Sequence, residues 1–574
     1  MRYIWMVLIV VSVLLVVFLG FPEAKQQHEE YDVIVIGGDP EGVSAAVSAA
    51  RSGSNTLLIT SRKSLGGLMT NGMLNYLDIG LDEHGKPVNK GIFSEWHQLV
   101  GGNVSFDIDL ATKAFHQLVE NEPNLTLLID SNVSSVHVNN NQIESIAVDT
   151  EELSTTYQAK RYIDTTTDAT IAALAGASYF IGQEDIHNPS STMGVTLIMH
   201  FDGINWDKIR QVATNGKFGE AQVSTDTAWG FWGIVDRYPK KHANTRLRGL
   251  NIARTDDGIY INALQIFGVD GLDESSKQQA IQIGKDETEH FLNWAKENFP
   301  GFENAYIKSY PNELYVRETR HIQSLYQLPI SDVWENKTHW DGIALGGYPV
   351  DMQATKPSGE DKIILNPKQY EIPFRSLVPE DLTNLLVASR SAGFSSLAAG
   401  SVRIIPTGMS LGQAAGIAAQ LSIEANRNFH EFSEDKANIR SLQETLIENG
   451  ARIDGKESPY PYQNDPNYAA IKYLYSHGLI FATYTNDLQL EKEITGEAFS
   501  WILTEGFKRI HDMDLSEEAH NLTLEENVTN RELLPIVRSL EKDEASSLID
   551  PSNSNPLTRR EAYNLIVSLL KLQW

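Results

Sequence analysis

The chain opens on an unbroken apolar run, Tyr3 to Phe21, behind Met1 and Arg2. At ~1.5 Å per residue in a helix, such a run nearly matches a hydrocarbon core of ~30 Å. The pattern predicts an uncleaved membrane anchor or a cleaved signal segment, and Pro22-Glu23-Ala24 is a poor cleavage site. Arg2 stands on one flank and Glu23, Lys25, Glu29 and Glu30 on the other. Basic flanks stay cytoplasmic, so the rest of the chain is expected on the extracytoplasmic face, or secreted if the segment is cleaved. From residue 31 the texture changes. YDVIVIGG over 31–38 reads as a buried parallel strand ended by glycine. Gly42, Ala45, Ala46, Ala49 and Ala50 then recur at helical spacing, which predicts a helix with one face of small residues, and Gly53 stops it. NTLLIT at 55–60 is a second strand. Strand, glycine turn, small-faced helix and strand form the dinucleotide-binding unit.

A second small-faced helix is predicted after Pro406-Thr407-Gly408, with Gly412, Ala415, Gly416 and Ala419 on one face. Thr407 is its expected N-cap. Glu424–Lys456 is polar and charged, a linker-like helical stretch, and Asp465–Gly478 is an amphipathic helix closed by glycine. Three further helix starts are led by Thr495, Thr529 and Thr558; the last two carry Glu532 and Glu561 three residues on, as capping boxes do.

Composition narrows the chemistry. The chain has 47 Lys plus Arg against 75 Asp plus Glu, a formal charge of −28, which argues against nucleic acid as a partner. Cys is 0, which removes disulfides, thiolate nucleophiles and thiolate metal sites. Redox chemistry would need an organic cofactor or a His/carboxylate metal centre, and no metal site is expected.

The turn Gly37-Gly38-Asp39-Pro40-Glu41-Gly42 departs from G-x-G-x-x-G, because Asp39 occupies the glycine position that approaches a pyrophosphate. Asp39-Pro40-Glu41 is also a strong helix start in itself. Thr60 replaces the acid expected at the end of the second strand, followed by Ser61, Arg62 and Lys63, groups suited to a 2′-phosphate. These residues alone leave a dinucleotide site and a cofactor-free α/β core both open.

Four further stretches resemble FAD-dependent oxidoreductases of the glutathione-reductase-like fold. They are Leu65–Asn75, Tyr162–Ala177, Leu314–Val333 with Gly347–Gln353, and Leu385–Leu421. The resemblance implies FAD in an extended pose over a Rossmann-like parallel sheet with helices, interrupted by an α+β substrate domain. It implies an anchor at 1–30, an FAD-binding domain in two parts at 31–177 and 346–425, a substrate or cap domain at 178–345, a linker at 426–456 and a small, mostly helical domain at 457–574. The cofactor-binding residues it implies are Gly37, Gly38, Asp39, Gly42, Ser61, Arg62, Gly66, Gly67, Thr70, Val133, Asp164, Thr166, Asp168, Ser401, Thr407, Gly408, Gly412, Gln413 and Ala414. Catalytic candidates are Arg317, His321, Tyr348, Asp351 and Arg403: an Arg to clamp a carboxylate or polarise a carbonyl, His321 as a general base. Thr167, Gln353 and Gly408 stand where the family has a glycine, a histidine and a frequent cysteine. Asp39 is expected to weaken FAD binding without abolishing it.

The tail partly resembles S-layer-homology repeats, which implies a cell-wall polymer as a partner; an ordinary helical bundle is the alternative. The functional expectation is an extracytoplasmic FAD-dependent oxidoreductase, a dehydrogenase or oxidase acting on a small molecule by hydride transfer. The alternatives are a degenerate flavoprotein-fold binding protein of the cell envelope and an NADP-type reductase using Ser61, Arg62 and Lys63.

Overall fold

The computed structural model describes residues 28–82, 84–189, 191–515, 527–539, 544, 547–550 and 552–572. The apolar run Tyr3–Phe21 lies outside them. Among the described residues no helix is long and apolar enough to cross a membrane.

The architecture is mixed α/β. The first sheet has seven strands, the first six being β1 (His28–Ile36), β2 (Thr56–Ile59), β3 (Leu125–Leu128), β4 (Asn132–Asn139), β5 (Gln142–Asp149) and β6 (Ser154–Asp164). Their order is β3-β2-β1-β6-β5-β4, with β3, β2, β1 and β6 parallel. β6 is long enough to serve two neighbours on one edge. Its first half pairs antiparallel with β5, and Tyr162–Asp164 pair parallel with Leu385–Val387, a strand more than two hundred residues further on. Of the run read at 31–38, residues 33–38 are buried because parallel strands are covered on both faces.

The helix Pro40–Arg51 follows β1, and the helix Ile405–Glu424 lies directly on it. A Cβ at Gly412 would sit 2.2 Å from the Glu41 carbonyl oxygen, and one at Gly416 2.2 Å from that of Ala45. Ser44 Oγ donates to the Met409 carbonyl at 2.6 Å and Ser48 Oγ to that of Gln413 at 3.0 Å. The two faces of small residues are therefore one interface.

The segment between the two halves builds a second, antiparallel sheet in the strand order 306–309, 195–202, 258–266, 245–255, 227–230, 221–223. The helix Glu274–Asn298 covers it. It has its own core of Phe201, Phe218, Phe231, Phe291, Phe299 and Phe302.

Two expectations are corrected. The stretch 426–456 is helical as expected, with the helices Phe429–Glu434 and Lys436–Glu448, but it is not a linker. These bury Phe429, Phe432, Ile439, Leu442 and Leu446 in the same core as β1. Only a narrow stripe of these helices is apolar, and the charged remainder of the surface hid it in the sequence. The region after 456 is continuous with that core too, not a separable module. Trp334 and Tyr475 pack as a tilted pair with ring centroids 4.4 Å apart, Ala482 N donates to Ile364 O at 2.8 Å, and Arg509 O meets His187 Nδ1 at 2.8 Å.

Within the tail the three Thr-led starts meet in a closed ring. Ile494 N donates to Leu557 O (2.9 Å), Leu557 N to Val528 O (2.7 Å) and Val528 N to Ile494 O (3.1 Å). Thr495 and Thr558 cap their helices, and Thr558 with Glu561 makes a full capping box.

Truncation after Lys456 would uncover Trp334 and Leu397, both buried now. We expect the truncated chain to lose cooperative thermal unfolding or to aggregate; a sharp, unchanged transition would show that the body folds alone.

Candidate functional site

The site begins where β1 stops. Gly37 has φ +121°, and a Cβ there would meet Thr165 Oγ1 at 2.6 Å; a Cβ at Gly42 would meet the Gly37 carbonyl oxygen at 1.8 Å. Both positions require glycine because the turn passes this close to the end of β6 and to itself. Thr165 Oγ1 donates to the carbonyls of Ile36 (2.9 Å) and Gly37 (3.1 Å), closing the loop from behind.

Asp39 precedes the helix but its side chain does not cap it. The carboxylate, 3% exposed, pairs with Arg62 Nη1 at 2.7 Å. Arg62 reaches on to Glu313 of the intervening segment, with Nη2 2.9 Å from Oε2 and a second contact through Nε. Partial burial lowers the pKa of this guanidinium, but Asp39 and Glu313 outweigh it and raise the pKa overall. Gly67 makes room for the arrangement, since a Cβ there would sit 1.8 Å from Asp39 Oδ1. Gly66 N donates to Gly38 O at 2.8 Å, tying the loop of residues 65–70 to the turn, and Thr70 Oγ1 donates to Leu65 O at 2.9 Å.

A cavity of about 470 Å³ lies on the carboxyl side of the parallel strands, the crevice where open α/β sheets bind ligands. Gly37, Asp39, Ser61, Arg62, Val133, Thr166 and Asp168 line it. Asp168 accepts from Thr319 Oγ1 at 2.7 Å and from Arg390 Nη2 at 2.8 Å. A narrower cavity of about 50 Å³ continues inward and shares Asp39, Leu68, Thr167, Val316 and Arg390 with the first. Its wall adds Glu41, Asp78, Tyr315, Arg317, Arg403 and the start of the helix Ile405–Glu424.

Behind that wall is a buried polar cluster. Arg403 Nη1 donates to Tyr315 Oη at 2.6 Å and Nη2 to the Asp351 carbonyl oxygen at 3.2 Å. Gln353 Nε2 lies 2.7 Å from both Asp351 carboxylate oxygens, while Gln353 Oε1 accepts from Arg248 Nη1 at 2.8 Å. Burial, and then the charge of Asp351, raise the Asp78 carboxyl above its usual range. Burial, then Asp78 and Asp351, push the neighbouring Tyr348 phenol well up. Burial brings Arg317 down to about 10.

The structure thus brings Arg317, Tyr348, Asp351 and Arg403 together and leaves His321 out. His321 sits on the strand Arg320–Ile322, stacked on Phe180 at 4.8 Å, and lines neither cavity. Burial, then Arg390, hold its ring neutral with a pKa of about 4.

Several residues implied for the cofactor do other work. Asp164, raised to about 6 by burial, accepts from Thr166 N and Ala172 N, both at 2.9 Å, and so holds its own turn. Ser401 bonds Tyr370 Oη and the Tyr348 carbonyl. Gln413 turns away to Ile92 N and Asn449 O. Ala414 is buried and lines neither cavity. Gly408 and Gly412 face the helix Pro40–Arg51, a Cβ at Gly408 meeting Glu41 Oε1 at 2.3 Å. Thr407 is not the N-cap: Pro406 sets the start earlier, and Ile404 takes that place without a side-chain bond.

Sequence reasoning did not single out Asp78, Arg248, Glu313, Tyr315 or Arg390. Arg390 alone had a signal, since it closes the Ala388-Ser389-Arg390 triplet of the last family segment.

The residues present fit an extended dinucleotide. The glycine turn admits a close ligand backbone, and the N-terminus of Ile405–Glu424 has no side-chain cap. Thr407 Oγ1 is buried with no hydrogen-bond partner among the described residues. The NADP-type alternative loses its cations, because Arg62 is taken by two carboxylates and Lys63 is 81% exposed and turned to Asp130.

Residues 32–446 match the family described as FAD dependent oxidoreductase. Among solved structures, a geranylgeranyl bacteriochlorophyll reductase-like protein from Thermoplasma acidophilum is similar at 13% identity and a TM-score of 0.37, over 84% of this chain and 98% of that one. A p-nitrophenol 4-monooxygenase from Pseudomonas putida DLL-E4 is similar at 10% identity and a TM-score of 0.36, over 78% and 94%.

Glu41 supplies a pH test of the site. Burial and then Asp39 raise its pKa from 4.5 to about 8. Between those values the folded chain holds a proton the unfolded chain has released, so this group costs stability as pH rises. Glu41→Gln should therefore unfold at a higher temperature than the parent at pH 8, with the difference closing toward pH 4.5. A pH-independent difference between the two would contradict this assignment.

Proposed function

The chain belongs to the family of FAD-dependent oxidoreductases, with FAD as its cofactor, and on that premise we propose that it transfers a hydride between a small organic substrate and flavin N5, as a dehydrogenase or oxidase. The observation that carries this reading is the continuity of the two cavities, from the glycine turn to the buried polar cluster. Bound FAD supplies the atom that takes or gives the hydride.

The chain's own residues divide the remaining work. Ser61, Arg62 and Val133 border the outer cavity, where the ADP half would be held. Arg62 neutralises Asp39, so that carboxylate does not face a pyrophosphate as a bare charge. This bears against reading Asp39 as the mark of a spent site. The positive end of the helix Ile405–Glu424, with Thr407 inside its first turn, would favour an anionic reduced ring. Asp78, buried on the wall of the narrow cavity beside Tyr348, would take the proton that leaves the substrate with the hydride.

The test is the absorption spectrum of the purified full chain with one FAD bound, followed by Asp78→Asn. We expect flavin bands in both proteins and a rate of flavin reduction by substrate lower by roughly 10²-fold or more in the variant. A colourless protein that FAD cannot reconstitute would end the reading. An unchanged rate would remove Asp78 from it.

The same reading includes the extracytoplasmic face of a membrane, supported by the apolar run Tyr3–Phe21 and the Arg2 flank. The partial resemblance of the tail to S-layer-homology repeats, with its Thr-led helix starts, supports a cell-wall polymer as its partner. Protease added to intact wall-stripped cells should degrade the protein, and purified cell wall should retain it. Protection from protease with no wall retention would overturn both.

A further inference from the structure

We propose that the polar chamber beside the narrow cavity binds a substrate through its carboxylate, clamped by Arg317 with help from Arg403 and Arg248. This rests on the reading of the narrow cavity as the flavin-facing one and adds the substrate class.

The argument is a charge account. Arg317 is 2% exposed and on the cavity wall, yet among the described residues no carboxylate pairs with it. Its side-chain hydrogen bonds leave from Nη1 alone, to Gly194 O at 2.8 Å and Thr196 Oγ1 at 3.0 Å. The second edge of the guanidinium is unused. Tyr315 fixes the plane, with Arg317 Cζ 4.1 Å from its ring centroid.

The neighbours add to the excess. Arg403 has its nearest carboxylate oxygen, Asp351 Oδ2, at 3.4 Å and spends its best bond on Tyr315. Arg248 donates to a neutral amide, Gln353 Oε1. The Nε groups of Arg248 and Arg403 are buried without partners. Against three guanidiniums stand two carboxyls, Asp351 and Asp78, while the nearby Asp361 is paired with Arg246.

Burying an uncompensated guanidinium is costly, and an arriving anion removes that cost. A free guanidinium edge matches the two oxygens of a carboxylate. A phosphate dianion fits less well, because Asp351 and Asp78 would repel its second charge. The reduced flavin is the other anion within reach, and the test must separate it from the substrate.

The experiment is calorimetry and thermal shift of the full chain, with and without FAD, using lactate and benzoate against lactamide and benzamide. The carboxylates should bind and stabilise while the amides do not. Arg317→Met should weaken carboxylate binding by about 10²-fold, and Arg317→Lys should recover part of it. Should Arg317→Met fail to fold, Arg248→Met is the deciding variant, with weaker carboxylate binding expected. Equal binding of acids and amides, or binding of neither, overturns the proposal. So does an Arg317→Met variant that keeps carboxylate affinity and only lowers the flavin potential, for the guanidinium then serves the cofactor. Carboxylate binding by a chain that never takes up FAD would keep this proposal and sink the oxidoreductase reading instead.

Discussion

The close crossing of the helices Pro40–Arg51 and Ile405–Glu424 is the constraint on which the site depends. Gly412 and Gly416 lie against the carbonyls of Glu41 and Ala45 at distances no side chain tolerates. Two serine hydroxyls then bond across the contact. Because the helices touch along their backbones, the polar starts of both come to the same crevice. The parallel strand Leu385–Val387 does the same for the sheet, adding the late part of the chain to β6 beside the glycine turn. Replacing either glycine by alanine would part the helices, and with them the two halves of the cavity wall.

Charge placement follows from that geometry. A glycine turn at the end of β1 invites an anion, and this chain has put Asp39 there. The structure resolves the conflict by drawing Arg62 and Glu313 into one network with it. Deeper in, the balance is reversed, with the guanidiniums of Arg248, Arg317 and Arg403 outnumbering the carboxyls of Asp78 and Asp351. An outer region of compensated charge and an inner region of uncompensated positive charge are different environments, and they suit a cofactor and an anionic substrate respectively.

The tail shows how a local signal and its packing can part company. Thr558 and Glu561 announced a capping box, and it forms as read. Nothing in those residues shows that three such starts close a ring of backbone bonds, or that Tyr475 meets Trp334. The packing of the helices of 429–448 into the core was hidden for a related reason. Ile439, Leu442 and Leu446 make a thin stripe in a charged stretch, and its partners lie on elements far away in sequence.

By itself the sequence determined what depends on short-range periodicity: the strand at 31–38, the small-faced helices after it and after Pro406, and the glycine turn. These follow from backbone sterics and from which side chains allow close approach, and neighbours in the chain carry that information. Only the tertiary structure decided which groups share the chamber. Asp78, Arg248, Asp351, Arg403 and the neighbouring pair Tyr315 and Arg317 come from five separate segments, so no single spacing in the sequence relates them. His321, which stands in a motif beside Arg317, falls on a different element, the short strand Arg320–Ile322, where it stacks on Phe180. Distance along the chain sets the elements, whereas burial of unlike charges at one place is a property of the fold.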